Sequence, residues 1–203
     1  NESFGDLSSI MVEEHIPYEQ NISIHYIANK KGEIEFIGKS EQLVTEDGSF
    51  CGSWITTDSE DNIADIIKTG YEVMKNIAEK GYVGVAGFDV LLYNGLYYFI
   101  DLNVRFNAST CGLLLYNDIH KRFGKKLVRL CNFDWNHNFD RAIPMAEKFV
   151  DKNQFIPLSV LDPRYFPGED QVTKMIGLVI GHSSEEVEDV LEDRGVHHRG
   201  HGF

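Results

Sequence analysis

Asp89, Asp101, Asn103 and Arg105 are the residues whose types and spacing suit chemistry on a phosphate group. Asp101, Asn103 and Arg105 fall at every second position, so a strand that stays extended through them projects all three to one side. Asp89 precedes them across Asn94-Gly95, a dipeptide suited to the positive φ angles of a tight hairpin, and would lie opposite them. Two carboxylates and an amide then converge on one surface. That set suits Mg2+, which takes a few hard oxygens from protein and completes its octahedron with water and phosphate oxygens. Without a cation the two carboxylates would repel until one kept its proton, so a metal ion is the economical reason for their pairing. Arg105 would offer a fixed positive fork to a transferring phosphoryl group. A lone Asp at a strand end is usually only solvated, but four such residues around one Asn-Gly turn are a rarer arrangement.

The elements that must position these residues are legible from periodicity. Residues 83–93 and 96–103 read as the two strands of the hairpin. Upstream, Ile22, Ile24 and Tyr26 alternate with Ser23, His25 and Ile27, and Lys30-Lys31-Gly32 supplies a turn before Ile34 and Phe36. A second turn at Glu46-Asp47-Gly48 precedes a strand over 50–55. Asp58 or Ser59 would cap a helix carrying Ile63, Ile66, Ile67, Val73, Met74, Ile77 and Ala78 at helical spacing, with Gly81 as its terminator. Residues 109–131 read as helical, with Leu113, Leu114, Ile119, Leu127 and Leu130 towards the core and a break at Gly124. Residues 132–157 read as irregular, 175–180 as a short buried strand, and Ser183-Ser184-Glu185-Glu186 as a capping box opening a helix closed by Gly195.

Bulk properties exclude several classes of partner. A chain of 203 residues with 42% hydrophobic content can bury a sizeable core, and its net charge of −13, with no basic stripe, argues against nucleic acid. No apolar run approaches the roughly 18–20 residues that cross a bilayer. Cys51, Cys111 and Cys131 show no CxxC spacing, which argues against a disulfide framework or zinc site and fits a reducing cytoplasm. Cys111 suits a packed thiol at a helix start better than a nucleophile, and His197-His198-Arg199-Gly200-His201 suits a frayed terminus. Asn1 in place of Met suggests a piece of a longer protein.

The run 87–106 resembles the metal-binding hairpin of the ATP-grasp superfamily, whose usual form is an acid on one strand and Glu-x-Asn-x-Arg on the next. Asp101 stands here for the commoner Glu, one methylene shorter. Met11-Val12-Glu13-Glu14-His15-Ile16 is similar to the superfamily's hinge. The resemblance implies that Glu13, Glu14, His15 and Ile16 meet adenine, that Glu19 or Gln20 lies near ribose, and that ATP and Mg2+ are the cofactors. Lys39, Glu41 and Gln42 stand where members often place polar contacts to phosphate or to the first lobe, although a solvated strand face is the better account of all three. The run 103–110 further resembles the Asn-x-Arg-x-x-Gly-Thr/Ser-Thr loop of ATP-grasp peptide ligases of the pheganomycin type, with Ala108 in place of Gly.

The fold so implied is α+β: an antiparallel sheet with helices packed on one face over 1–131, a connector over 132–157, and a small α/β strand–helix appendage over 158–203. The implied activity is ATP-dependent ligation of a small-molecule carboxylate to an amine, such as an amino acid or peptide, through an acyl phosphate. The phosphate-binding lysines and glycine-rich loop of the superfamily's first lobe do not precede Val12, so the expectation is half of an active site. A non-catalytic nucleotide-binding or assembly module is the main rival. A metal-dependent hydrolase ranks last, because no His lies within the hairpin.

Overall fold

The computed structural model describes residues 12–46, 48–56, 63–135, 138–165 and 173–192. Within them the chain runs β1 (Gln20–Ala28), β2 (Ile34–Val44), β3 (Phe50–Ile55), α1 (Ala64–Glu79), β4 (Gly84–Tyr93), β5 (Leu96–Asn103), α2 (Ala108–Phe123), β6 (Leu127–Trp135), α3 (Phe139–Asp151), β7 (Phe155–Leu161), β8 (Thr173–Gly181) and α4 (Ser184–Glu192). The strands form one eight-stranded sheet in the order β5-β4-β1-β2-β3-β6-β8-β7, with every neighbouring pair antiparallel. The fold is therefore α+β, as expected, but its helices cover both faces of the sheet rather than the one face anticipated.

Strand alternation divides the helices between the two faces of this sheet. Ile22 and Ile24 of β1 and Phe88 and Val90 of β4 point to the side covered by α1, which buries Ile66, Gly70 and Met74 one turn apart. Gly70 lets the helix settle closely, since a Cβ there would lie 2.6 Å from Ile24 Cδ1. On the same side Trp54, Cys131 and Val179 pack with α3 and α4. The opposite side of β2, β3, β6 and β8 is covered by α2, through Leu113, Tyr116 and Ile119 against Ile55, Leu130 and Leu178.

Several expected elements are present and two are redrawn. Gly81, at φ +95°, follows the end of α1, and its N–H reaches Ala78 O at 2.8 Å. The helix expected over 109–131 stops at Phe123, because Gly124 adopts the left-handed conformation and its N–H closes on His120 O. Leu127 and Leu130 belong instead to β6. Sheet and helices cover that strand from both sides, and a short apolar run buried on both faces does not betray its period. The segment expected to be irregular over 132–157 holds the end of β6, all of α3 and the start of β7. Asn138 caps α3 by accepting from Arg141 N at 3.2 Å, and Ala142, Ala146 and Phe149 form its buried stripe despite Pro144. At α4, Ser183 Oγ accepts from Glu186 N at 3.2 Å while Glu186 reaches back to His182 N at 2.8 Å, a variant of the expected capping box. Met11, Asp47, the proposed caps Asp58 and Ser59, Gly195 and the His197–His201 run lie outside the described residues.

Candidate metal and nucleotide site

The hairpin β4–β5 turns at Asn94-Gly95, with φ of 51° and 73°, and pairs Tyr93 with Leu96. The ladder is regular to Val90↔Phe99, then shifts by one residue, so that Asp89 faces Asp101 and Gly87 faces Asn103, with Ile100 as the extra residue. Asp89, Asp101 and Asn103 thereby share one face. Asn103 Nδ2 donates to Asp101 Oδ2 at 2.8 Å and reaches Asp89 Oδ2 at 3.4 Å, bridging the two carboxylates.

The electrostatics of this group favour a cation. Burial pushes the Asp89 carboxyl above its ordinary range and the Asp101 carboxylate beside it adds to the rise, while Ser23, Gln42 and Arg105 pull in the opposite direction. Ser23 is the β1 partner of Asp89, and Gln42 shares its phase on β2 with Ser40, the partner of Ser23. Lys39 and Glu41, on the alternate phase, belong to the opposite face, so only Gln42 of that trio joins the group.

The donor set fits Mg2+. The amide of Asn103 places partial positive charge between the carboxylates, and rotation about its Cβ–Cγ bond brings Oδ1 to the same place, turning a donor into a third oxygen ligand. Two carboxylates and one amide leave room for water and phosphate oxygens, as Mg2+ prefers. Among the described residues no cluster of three His, Cys, Asp or Glu side chains suits a metal ion.

Arg105 lies just beyond the strand. Its N–H bonds to Asn103 O at 2.7 Å in a tight bend, and its exposed guanidinium touches Phe106 O at 3.3 Å, close enough to Asp89 to lower that carboxyl. The residues expected to form the hinge precede and open β1, which pairs with the hairpin strand β4. Val12 to Tyr18 form an irregular lead-in to β1, with Glu13, Glu14 and His15 exposed and Ile16 half-buried. Glu19 N bonds to Leu92 O at 2.8 Å, and Gln20 opens β1 in the phase of Ile22 and Ile24, three residues from Ser23 or about 10 Å along the strand.

Two further features support the hairpin. His25, in the phase of Ser23, is fully buried, with Nδ1 3.3 Å from Thr110 Oγ1, and burial lowers its pKa to about 4. Asn107 and Thr110 form a reciprocal capping box at the start of α2. The α2 N-terminus is thus anchored to β1 beside Gly87, whose lack of a side chain leaves space for both Asn107 and His25. The polar phase Asn21, Ser23, His25 stood in the sequence as the complement of Ile22, Ile24, Tyr26, but nothing local said that it faced the carboxylates.

The sequence match supplies the class: the chain is an ATP-grasp superfamily protein. Residues 1–103 match the ATP-grasp family described as L-aspartate–L-methionine ligase, half of the chain, and the chain belongs to that family. Similar solved folds include an ADP complex of N5-carboxyaminoimidazole ribonucleotide synthetase (TM-score 0.60, 14% identity, 90% of this chain and 50% of that one). Others are biotin carboxylase from Campylobacter jejuni (0.59, 14%, 90% and 46%) and the phosphoribosylaminoimidazole carboxylase ATPase subunit from Aquifex aeolicus (0.57, 16%, 90% and 57%). The chain spans about half the length of these structures. No helix among the described residues is long and apolar enough to cross a membrane.

Proposed function

We propose that the chain carries the metal- and phosphate-binding half of an ATP-dependent carboxylate–amine ligase. The observation that carries this reading is the bridged group Asp89–Asp101–Asn103 on the uncovered end of an ATP-grasp sheet. Asp89, Asp101 and Asn103 would hold Mg2+, which when bound offsets the charge of the nucleotide phosphates. Arg105 steadies the phosphoryl group in transit. Gln42 and Ser23 flank Asp89 on the same face, and Glu13, Glu14, His15, Ile16 and Glu19 or Gln20 are assigned to the adenosine end. An oxygen of the substrate carboxylate attacks the γ-phosphorus, and ADP leaves with the electrons of the broken P–O bond. The amine nitrogen then attacks the carbonyl carbon of the acyl phosphate, expelling inorganic phosphate and losing a proton as the amide forms. The protein's part is positioning and electrostatic stabilisation, which dominate phosphoryl transfer.

The family description makes L-aspartate and L-methionine the first pair to supply, and the cysteine pattern favours a cytoplasmic setting. The test is Mg2+-dependent ADP release by the protein that contains this chain, given that pair and then pooled carboxylates and amino acids. Asp101→Ala or Asn103→Ala should cut release by at least ~100-fold, the scale of losing a preorganised charge-stabilising group, with unchanged circular dichroism. Near-normal rates in either variant would sink the assignment. ADP binding with no turnover on any pair would favour the assembly-module reading.

A further inference from the structure

A cavity of about 380 Å3 lies at the far end of α2 from the hairpin, between the helix's last turns, the edge strand β7 and the turn after α3. Its size falls within the ~300–1,000 Å3 typical of small-molecule sites. Leu115, Ile119 and Phe123 recur one turn apart along α2 as one wall, and Phe155, Ile156 and Pro157 of β7 form the other. This lining is mostly apolar.

Three polar residues interrupt it. Asp118 and Arg122 stand one turn apart on α2, and Asn153 faces them from the α3–β7 connection. An i, i+4 acid–base pair on a helix ordinarily closes on itself. Here neither group enters an ion pair among the described residues, and Arg122 instead lies over the ring of Phe123, its Cζ 5.2 Å from the centroid. One anion and one cation therefore stand at the rim of an apolar cavity, spaced by a single turn. A molecule complementary to that pattern has an ammonium, a carboxylate and an apolar body, and is small.

We propose that this cavity binds a free α-amino acid with an apolar side chain, its ammonium on Asp118, its carboxylate on Arg122 and its side chain between α2 and β7. The site is separate from the hairpin. Ile119 lies twelve residues along the helix from Asn107, about 18 Å of axis, so one small amino acid does not span from Arg122 to Asp101. The proposal does not rest on the ligase reading, because binding is measured without nucleotide or turnover.

The experiment is calorimetric titration of the full chain with L-leucine and L-methionine, repeated with L-leucinamide, which lacks the carboxylate, and 4-methylpentanoate, which lacks the ammonium. The two amino acids should bind with one-to-one stoichiometry, and each truncated analogue should bind at least ~10-fold more weakly, as the loss of a charge-assisted contact implies. Arg122→Gln and Asp118→Asn, both at exposed positions where folding is little affected, should each weaken binding to the same degree, while Asp101→Ala leaves it unchanged. Heteronuclear shifts should move at Ile119 and Ile156. No saturable binding, equal affinity for the truncated analogues, or a loss caused by Asp101→Ala and not by Arg122→Gln would each overturn the proposal. The last of these would place the amino acid at the hairpin instead.

Discussion

Alanine at Gly87 would place a methyl group where two side chains already meet. The new Cβ would overlap Asn107 Nδ2 and stand 3.0 Å from His25 Cε1. Neither neighbour yields easily: Asn107 Oδ1 accepts from Thr110 Oγ1 at 3.0 Å within the cap of α2, and His25 is fully buried. Displacing the cap costs about 1 kcal/mol, and crowding a packed core about 1–3 kcal/mol. Replacing a strand glycine by alanine returns about 0.5–1 kcal/mol. The net expectation is a loss of about 1–3 kcal/mol, read as a lower urea midpoint at unchanged m-value. The cause is separable by a double-mutant cycle. Glycine is itself an acceptable N-cap, so Asn107→Gly alone should cost only a few tenths of a kcal/mol, yet it removes the atom that blocks the methyl group. Gly87→Ala in that background should therefore be milder by about 1 kcal/mol. Strict additivity, or a Gly87→Ala variant as stable as the parent, would refute the account of how α2 is seated on β1.

Three further outcomes follow from the same structure. His25 is held neutral by burial, with a folded pKa of about 4 against 6.5 when unfolded. Its contribution is fully present above pH 6.5 and is lost as pH falls towards 4, because the unfolded chain binds the extra proton; at 1.36 kcal/mol per unit that is about 3 kcal/mol. His25→Gln should flatten the urea midpoint between pH 6.5 and 4, and an unaltered slope would exclude His25 as its origin. The buried Lys125 pairs with Glu186 on α4, so Glu186→Gln, which strands the ammonium, should destabilise more than Lys125→Met, which removes it, when the two are compared by thermal unfolding. Mg2+ with ADP should raise the melting temperature of the protein, and Asp101→Ala should abolish the Mg2+-dependent part of that rise.

Much of the architecture was legible because its signals are local. The alternation of Ile22, Ile24 and Tyr26, the Asn94-Gly95 turn and the stripe through Ile66 and Met74 each specify an element from within a few residues. What was not legible depended on what an element packs against. Val128, Leu130 and Cys131 look helical or strand-like until helices are known to cover both faces of β6. The segment 132–157 reads as irregular, yet Asn138 caps α3 and Pro144 is accommodated inside it. At the site, the three ligand candidates were named from their types and spacing. Gln42 could be told from Lys39 and Glu41 only by the β1–β2 register, and Ser23 only by its pairing with Asp89.

The register of β4 and β5 shows how narrowly the site is specified. The two-residue turn pairs Tyr93 with Leu96, and counting back regularly from it would set Asp89 opposite Ile100 and Asp101 opposite Phe88, on the α1 side of the sheet. A one-residue offset reverses every side chain of a strand. The single extra residue Ile100 supplies that offset and returns Asp101 and Asn103 to the face of Asp89. Two deletions of equal size test this. Removing Ile100, an exposed residue, leaves Phe99 joined to Asp101, so a regular ladder now pairs Asp101 with Asp89 and the group survives. Removing Leu102, also exposed and two positions on, joins Asp101 to Asn103 and sends them to opposite faces. Mg2+-dependent ADP affinity should stay within a few-fold for the first deletion and fall at least ~10-fold for the second, the scale of a lost charge-assisted contact. If both deletions fold and both lose the metal dependence alike, then the bulge does more than set the phase, and its bend itself must shape the site.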